Sequence, residues 1–212
     1  MSGNVRPERK ITRRVVKLGG SLLTMPDLAE RFRAWLNVQP SAETLLIAGG
    51  GELADAVRET NRLRPLADSQ AHWLCIRAMQ LQTEMLAALL PEAEMLLSIA
   101  PLRDSLPQTR LAIVDPWRFV HEEDQRLSAT PLPESWDVTS DSIAARLAQL
   151  TGADEVVLLK SASAPAADLQ ELGAAGFVDR FFMRAAIGVP QVRFVNLRDE
   201  SARDVVIVAN QV

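Results

Sequence analysis

Short apolar runs alternate with longer amphipathic segments along this chain. Each run is rich in Val, Leu and Ile, and the segment after it repeats its apolar residues at the spacing of a helix. Parallel strands joined by helices have such continuous apolar sequences, because helices cover both faces of the sheet. The sequence therefore predicts an α/β fold, a three-layer α/β/α sandwich around a mainly parallel sheet. The runs that we assign to strands include TRRVVKLG, TLLIAGG, RLAIVD, DEVVLLKS, QVRFVNL and VVIVA.

The composition excludes several classes of protein. A net charge of −4 argues against a nucleic-acid binder, which normally carries a basic face. Cys75 is the single cysteine, which excludes a disulfide framework and a cysteine metal cluster. The chain has no apolar run of the roughly 18 residues that span a bilayer, and its start lacks the apolar core of a secretory signal. We expect a cytoplasmic protein without membrane or nucleic-acid partners, in which a disordered tail at 1–11 precedes a single domain at 12–212.

Glycines follow two of the predicted strands, where each strand ends and a helix begins. In KLGGS these are Gly19 and Gly20, followed by Ser21, and in AGGG they are residues 49–51. Glycine allows the backbone to approach an anion closely, and the N–H groups at the start of the following helix attract negative charge. Each turn alone is equally well explained as a tight connection between strand and helix. Two such turns favour a site for anionic groups at the carboxyl ends of the strands.

Lysine is rare in this chain, and two of its three lysines follow apolar strands. Lys17 and Lys160 occupy these positions, whereas the other basic residues are mostly arginine. A lysine at the end of a buried strand is costly unless its ammonium group meets an anion or a carboxylate. The alternative is that the long side chain extends to solvent. We favour a phosphoryl-binding role for both, because a compact ammonium group suits a phosphoryl group that changes shape during transfer.

A few other polar residues are candidates for the same site. Asp141 begins the predicted helix TSDSIAARLAQLTG, where ordinary helix capping is the better explanation from residue chemistry alone. The alternative is that its carboxylate holds the lysines or contacts magnesium. Arg58, in the helix after the second glycine turn, is a candidate for binding the phosphate of a substrate. We place the organic part of that substrate near His72 and Trp73, in the long predicted helix ADSQAHWLCIRAMQLQTEMLAALL.

Two segments have no clear periodicity. Residues 115–138 predict a loop, because Pro116, Pro131 and Pro133 interrupt them. The tail predicts a short helix before the last strand.

Together these motifs resemble those of the amino acid kinase superfamily, which includes the acetylglutamate, aspartate, glutamate and uridylate kinases. The chain has KLGGS at 17–21, GGG at 49–51 and SDSIA at 140–144. Further strings are similar to the branch of the aminomethylfuran-methyl-phosphate kinases, and this likeness extends over most of residues 13–198. These strings are GGGELADAVRE, ADSQAHWLCIRAMQ, LPESWDVTSDSIAARLA, LLKS and FVDRFF.

The resemblance implies an activity and its participants. It implies a phosphotransferase that uses ATP and Mg²⁺ and acts on a small phosphomonoester. In this branch the acceptor is an aminomethylfuran phosphate in the biosynthesis of a methanofuran-type one-carbon cofactor. The resemblance also implies a homo-oligomer.

The resemblance further implies a role for each candidate residue. Catalysis is assigned to Lys17, Asp141 and Lys160, with Asp141 holding the two lysines. The residues implied to bind ATP are Gly19, Gly20, Ser21, Lys160 and Asp179. The residues implied to bind the acceptor are Gly49, Gly50, Gly51, Arg58, His72, Trp73 and Ser140.

The sequence departs from the wider superfamily in its C-terminal part. The better-known members carry a GGM-type segment with a further lysine near the nucleotide, whereas this chain has GAAGFVDRFF there and no lysine. The segment between Lys160 and Asp179 is short for a complete adenine-binding lobe, so we expect a shortened nucleotide-binding part. Three alternatives stay open: a catalytically reduced protein of this fold that binds a nucleotide or small anion, a kinase for a carboxylate or a nucleoside monophosphate, and an interaction subunit of a larger assembly.

Overall fold

The computed structural model describes residues 12–199 and 201–208, so the predicted tail at 1–11 lies outside the described residues. Within these residues the strands are β1 (Arg13–Leu18), β2 (Glu43–Ala48), β3 (Glu94–Leu96), β4 (Arg110–Val114), β5 (Glu155–Lys160), β6 (Gln191–Asn196) and β7 (Val205–Val208). They form one sheet in the order β3-β4-β2-β1-β5-β6-β7. Every neighbouring pair is parallel except β6 and β7. The predicted mainly parallel sheet is confirmed.

Helices cover both faces of this sheet, and two separate apolar clusters lie beneath them. Successive strand residues point to opposite faces, so Val15 and Ile47 belong to one cluster and Val16 and Leu46 to the other. The predicted three layers are confirmed. The helices are α1 (Leu28–Asn37), α2 (Gly51–Leu63), α3 (Asp68–Leu89), α4 (Ala100–Asp104), α5 (Pro116–Arg118), α6 (Gln125–Leu127), α7 (Ser140–Thr151), α8 (Leu169–Ala174) and α9 (Phe182–Ala185).

The segment 115–138 is helical at residues 116–127, where the prediction of a loop is wrong, and has no helix or strand at 128–138, where that prediction is confirmed. Helix α5, a π-helical turn at Phe119–Asp124 and α6 follow one another without interruption. Pro116 lies in the first turn of α5. The N–H groups of that turn have no carbonyl partner within the helix, so a proline there costs no hydrogen bond. The carboxylate of Asp115 accepts a hydrogen bond from the amide of Arg118 and caps the helix. The proline thus marks the start of a helix.

The C-terminal part also differs from the prediction. No helix precedes β7 among the described residues 197–199 and 201–204. Instead, the carboxylate of Asp199 accepts hydrogen bonds from the amide and the hydroxyl group of Ser201. Such local bonds from aspartate to the backbone compete with a helix and favour a turn. In the described part of the chain, no helix has both the length and the apolar character needed to cross a membrane.

Candidate active site

Three adjacent strands end at the centre of the sheet and bring the predicted motifs together. Strand β1 lies between β2 and β5, with Leu18 beside Ala48 on one side and beside Leu159 on the other. Because the three strands are parallel, their carboxyl ends meet at one edge of the sheet. The two glycine turns and Lys160 therefore leave the sheet next to one another.

Lys17 and Lys160 both contact the carboxylate of Asp141. The Nζ atom of Lys17 lies 2.9 Å from Oδ1, and that of Lys160 lies 2.7 Å from Oδ2. Alternation along the strands explains this convergence: Lys17 points to the same face as Val15, two residues earlier. By the same rule Lys160 shares a face with Leu158, which belongs to the same apolar cluster. Helix α7 packs on that face and carries Asp141 in its first turn.

These charged groups are buried, and their mutual contacts as well as their burial shift their pKa values. Lys17 is 6% exposed and Asp141 is 5% exposed. Burial alone would raise the pKa of Asp141, but the charges and hydrogen bonds of Lys17 and Lys160 outweigh it, so this pKa lies below its ordinary value. Burial and repulsion by Lys17 lower the pKa of Lys160, against the attraction of Asp141. Two ammonium groups thus share one carboxylate, an arrangement that favours a further anion nearby.

Asp179 fixes the start of α7. Its carboxylate accepts hydrogen bonds from the amide groups of Thr139 and Ser142, both at 3.0 Å, and from the hydroxyl groups of the same two residues. The Ser142 amide is one of the N–H groups that the first turn of a helix leaves unpaired. Burial and the charge of Asp141 raise the pKa of Asp179, against these hydrogen bonds. Asp179 therefore positions the turn that carries Asp141, and its predicted contact with a nucleotide stays a prediction.

The two glycine turns pack directly against each other. A Cβ atom on Gly20 would lie 2.1 Å from the amide nitrogen of Gly51, and one on Gly49 would lie 2.8 Å from the amide nitrogen of Gly20. Gly51 also has a φ of +51°, in the left-handed region that favours glycine. Helix α2 begins at Gly51, so the N–H groups of its first turn start at this contact.

A cavity of about 230 Å³ opens beside the glycine turns. The predicted site residues that line it are Lys17, Gly20, Ser21, Gly49, Gly50, Gly51, Arg58, His72 and Ser140. The sequence prediction missed other lining residues, which are Ala54, Asp55, Cys75, Ile76, Met79, Ser135, Trp136, Val138 and Thr139. The last four belong to the string SWDVT, directly before SDSIA. They could have been predicted from this position, because a segment that leads into a helix at the site lies at the same edge of the sheet.

The other predicted site residues lie outside the lining of this cavity. Lys160 contacts Asp141, as described above, and also donates a hydrogen bond to the carbonyl oxygen of Phe177 at 2.8 Å. A Cβ atom on Gly19 would lie 2.9 Å from the Leu159 carbonyl oxygen and 3.8 Å from the Lys17 Nζ atom, so this glycine lies next to the lysine. Asp179, as described above, caps α7.

Trp73 is not brought to this cavity. Its ring lies 5.3 Å from the ring of Trp117 and 5.2 Å from that of His121, in a separate surface depression. Consecutive helix residues point about 100° apart, so His72 and Trp73 face different parts of the protein.

Two residues at the mouth of the site make contacts with near neighbours. The hydroxyl oxygen of Ser21 lies 2.9 Å from that of Ser161, which links the first glycine turn to the end of β5. Arg58 lies about two turns into α2 and pairs with Asp55, three residues earlier on the same helix. Its side chain is 45% exposed, so it is available to a ligand that enters from solvent.

The chemistry of the site suits a polyanion. In the described part of the chain, no group of three or more His, Cys, Asp or Glu side chains is arranged to hold a metal ion. Both oxygens of Asp141 contact ammonium groups. The ammonium groups, the guanidinium group of Arg58 and the backbone N–H groups of the glycine turns are hydrogen-bond donors that fit phosphate oxygens.

Comparison with known proteins agrees with this geometry. Residues 12–164 match the sequence model of the amino acid kinase family. A relative from Methanocaldococcus jannaschii, [5-(aminomethyl)furan-3-yl]methyl phosphate kinase, is 27% identical over 146 residues, which are 68% of this chain and 63% of the relative. The match therefore spans only about 63% of the length of that curated relative.

Solved structures share the fold at low identity. The UMP kinase of Ureaplasma parvum superposes with a TM-score of 0.64 at 13% identity, over 94% of this chain and 100% of that chain. The aspartate kinase of Synechocystis superposes with a TM-score of 0.65 at 15% identity, over 95% of this chain and 40% of that chain. At these identities the likeness extends to the fold alone.

Proposed function

The chain belongs to the amino acid kinase family, and on this premise we propose that it transfers the γ-phosphoryl group of ATP to a small phosphomonoester. The observation that carries the proposal is the contact of Lys17 and Lys160 with the single carboxylate of Asp141, beside the two glycine turns. Phosphoryl transfer requires positioning and charge neutralisation more than covalent chemistry. Two ammonium groups held rigidly by one buried carboxylate supply both.

The proposed reaction needs no general base. An oxygen of the acceptor phosphate attacks the γ-phosphorus of ATP, the bond from that phosphorus to the bridging oxygen breaks, and ADP leaves with the bond electrons. The product is the diphosphate of the acceptor alcohol. The attacking oxygen is already ionised at neutral pH, so its activation requires no proton transfer to a side chain.

Each part of the site has a role in this proposal. Lys17 and residues 19–21 bind the donor phosphates, and the N–H groups of residues 49–51 stabilise the group in transfer. Lys160 supplies the second positive charge, and Asp141 orients both lysines. Mg²⁺, held by the donor phosphates, supplies further charge neutralisation when bound.

We propose that the acceptor is an aminomethylfuran phosphate. The relative with 27% identity bears the name of a kinase for that substrate. A cavity of about 230 Å³ suits a single small ring with its substituents. Arg58, at the mouth of the cavity, is the proposed contact for the acceptor's own phosphate, because a guanidinium group can bind two phosphate oxygens at once.

A second candidate is a protein of this fold that binds a nucleotide or a small anion without transfer. The observation that favours it lies in the C-terminal part. The family match ends at residue 164, and the segment between Lys160 and Asp179 contains only the six-residue helix α8. A shortened adenine-binding part weakens nucleotide binding and leaves the anion site intact.

Phosphorus NMR of the full chain with ATP and Mg²⁺ tests these candidates. The acceptors are [5-(aminomethyl)furan-3-yl]methyl phosphate, UMP and aspartate, and we expect a diphosphate signal and equimolar ADP with the furan phosphate only. A thermal-shift measurement on the same samples detects binding, because a ligand of the folded state raises its stability. A shift with ATP and no product from any acceptor supports the second candidate, and no shift with any phosphorylated compound contradicts both.

A further inference from the structure

His72 contributes a buried group of a different kind to the cavity. It lies in α3 with 3% of its surface exposed, and it lines the cavity together with Cys75 and Met79 of the same helix. Lys17, Arg58 and the glycine turns offer hydrogen-bond donors to a ligand there. An imidazole ring offers a donor or an acceptor, and which one depends on its tautomer.

The contacts of His72 fix that tautomer. Its Nδ1 atom lies 3.2 Å from the carbonyl oxygen of Ser135. A carbonyl oxygen only accepts hydrogen bonds, so Nδ1 carries a proton and donates it. Burial lowers the pKa of His72, against the Ser135 hydrogen bond and the charge of Glu134, which favours the neutral ring. A neutral ring with its proton on Nδ1 has a free lone pair on Nε2.

In the described part of the chain, this lone pair has no hydrogen-bond partner. The Nε2 atom is buried and makes no hydrogen bond to any described residue. The ring of Trp73 lies 5.2 Å from the imidazole ring between centroids and nearly perpendicular to it, and the indole N–H group makes no hydrogen bond to Nε2. Buried polar atoms are nearly always paired with protein, ligand or ordered water. A molecule bound in the cavity that His72 lines can therefore supply the hydrogen-bond donor that Nε2 lacks.

On the premise of the proposed kinase function, we infer that His72 determines acceptor specificity: its Nε2 atom accepts a hydrogen bond from an amino or hydroxyl group that the phosphomonoester carries away from its phosphate. An ionised phosphate oxygen only accepts hydrogen bonds, so it does not satisfy Nε2. The cavity thus distinguishes the two ends of the acceptor. Arg58 binds the phosphate end of the acceptor, and His72 binds the end that carries the hydrogen-bond donor.

A matched pair of substrates tests this inference on the wild-type protein. The pair is [5-(aminomethyl)furan-3-yl]methyl phosphate and (5-ethylfuran-3-yl)methyl phosphate, in which a methyl group replaces the amino group. We expect kcat/KM to favour the amine by about 10- to 100-fold, as for a hydrogen bond that involves a charged group. Equal kcat/KM for the two phosphates would overturn the inference and leave the proposed kinase function standing.

Two variants extend the comparison. His72→Phe keeps a planar ring and removes the lone pair, so we expect it to lower kcat/KM for the amine by about 10- to 100-fold and to leave the ethyl analogue nearly unchanged. His121→Phe is the matched control, because His121 is exposed and stacks on Trp117 at 4.8 Å, outside this cavity. It should keep the wild-type preference. An unchanged preference in a folded His72→Phe protein would overturn the inference.

Nitrogen NMR of the histidine-labelled full chain gives a readout that needs neither turnover nor a variant. We expect a protonated Nδ1 and an unprotonated Nε2 in the free protein. The amine should shift the Nε2 resonance, and the ethyl analogue should not. A proton on Nε2 in the free protein, or equal shifts with both phosphates, would overturn the inference. Failure to phosphorylate either compound contradicts the proposed function, and the NMR result still decides the role of His72.

Discussion

Gly20 and Gly51 are in backbone contact across the two glycine turns, so that a Cβ atom on Gly20 would lie 2.1 Å from the Gly51 amide nitrogen. The first turn follows β1, and the second opens α2. Both turns line the same cavity. In the proposed reaction one turn binds the donor and the other binds the group in transfer, so this contact fixes the distance between them.

We predict that Gly20→Ala disrupts this contact. The added methyl group meets the backbone of Gly51, which has no flexible end that can move away, so the free energy of unfolding should fall by about 1–3 kcal/mol and kcat should fall with it. Chemical denaturation and steady-state kinetics measure the two effects. Gly173→Ala is the matched control, because a Cβ atom on Gly173 in α8 would meet nothing within 4 Å. The prediction is contradicted if both variants behave alike.

We predict that Lys17→Met abolishes most of the turnover and leaves the fold intact. Asp141 keeps its contact with Lys160 at 2.7 Å, so the buried carboxylate is not left without a cation. If Lys17 stabilises developing charge as an oxyanion donor does, kcat should fall by roughly 10²–10³, or about 3–4 kcal/mol. Single-turnover kinetics with saturating ATP measures this loss. A near-wild-type rate would remove Lys17 from the chemistry.

The convergence on Asp141 shows what sequence patterns can predict. The alternation of strand residues places Lys17 with Val15 and Lys160 with Leu158, and this much follows from the sequence. The sequence does not give the order of the strands, and β1 lies beside β5 only because the chain crosses over between them. For the same reason residue chemistry alone favours capping for Asp141, because capping explains an aspartate in the first turn of a helix until its neighbours are known.

Other features of the site depend on contacts between distant parts of the chain. Asp179 accepts a hydrogen bond from the amide of Ser142, 37 residues earlier, and no local sequence pattern predicts such a contact. The prediction that Trp73 shares a site with His72 relied on adjacency in sequence, whereas neighbours on a helix point in different directions. The helix that begins at Pro116 was predicted as a loop, because the pattern does not separate a proline that starts a helix from one that prevents it.

We predict that Arg58→Met weakens binding of the acceptor and leaves binding of ATP unchanged. Its exposed guanidinium group is the proposed contact for the acceptor phosphate, so KM for the phosphomonoester should rise about tenfold with little change in KM for ATP. Arg62→Met is the control. Arg62 lies one turn further along α2 and pairs with Glu59, and it does not line the cavity. Equal effects of the two variants would contradict the assigned contact.

We predict that His72 makes the wild-type protein less stable in mild acid. Its pKa in the folded protein lies below the ordinary value of 6.5, chiefly because it is buried. The unfolded chain therefore binds the proton more readily, so stability is complete above about pH 6.5 and falls as the pH drops through that value towards the folded pKa. Denaturation at pH 7.5 and pH 5.5 should show a larger loss for wild type than for His72→Phe. Parallel losses in the two proteins would contradict the neutral, buried state of this ring.

We predict that Asp179→Asn lowers both stability and kcat, because the carboxylate positions the helix turn that carries Asp141. An amide retains only one accepting oxygen, so some of the hydrogen bonds from Thr139 and Ser142 are lost. The free energy of unfolding should therefore fall by about 1–3 kcal/mol. The first turn of α7 then moves, and with it the carboxylate that orients the two lysines. Denaturation and steady-state kinetics at saturating ATP measure both effects.

The Asp179→Asn variant also distinguishes a positioning role of Asp179 from a direct contact with ATP. If Asp179 contacts ATP, KM for ATP rises and kcat is largely retained, and the positioning role is contradicted. Asp168→Asn is the matched control, because Asp168 caps α8 by accepting hydrogen bonds from the amides of Gln170 and Glu171. Asparagine caps a helix about as well as aspartate, so this variant should change stability little. It should leave kcat unchanged, since α8 carries none of the residues that contact Asp141. A loss of kcat in Asp179→Asn without a matching loss in Asp168→Asn therefore reports the position of Asp141 and not a general effect of replacing a capping carboxylate by an amide.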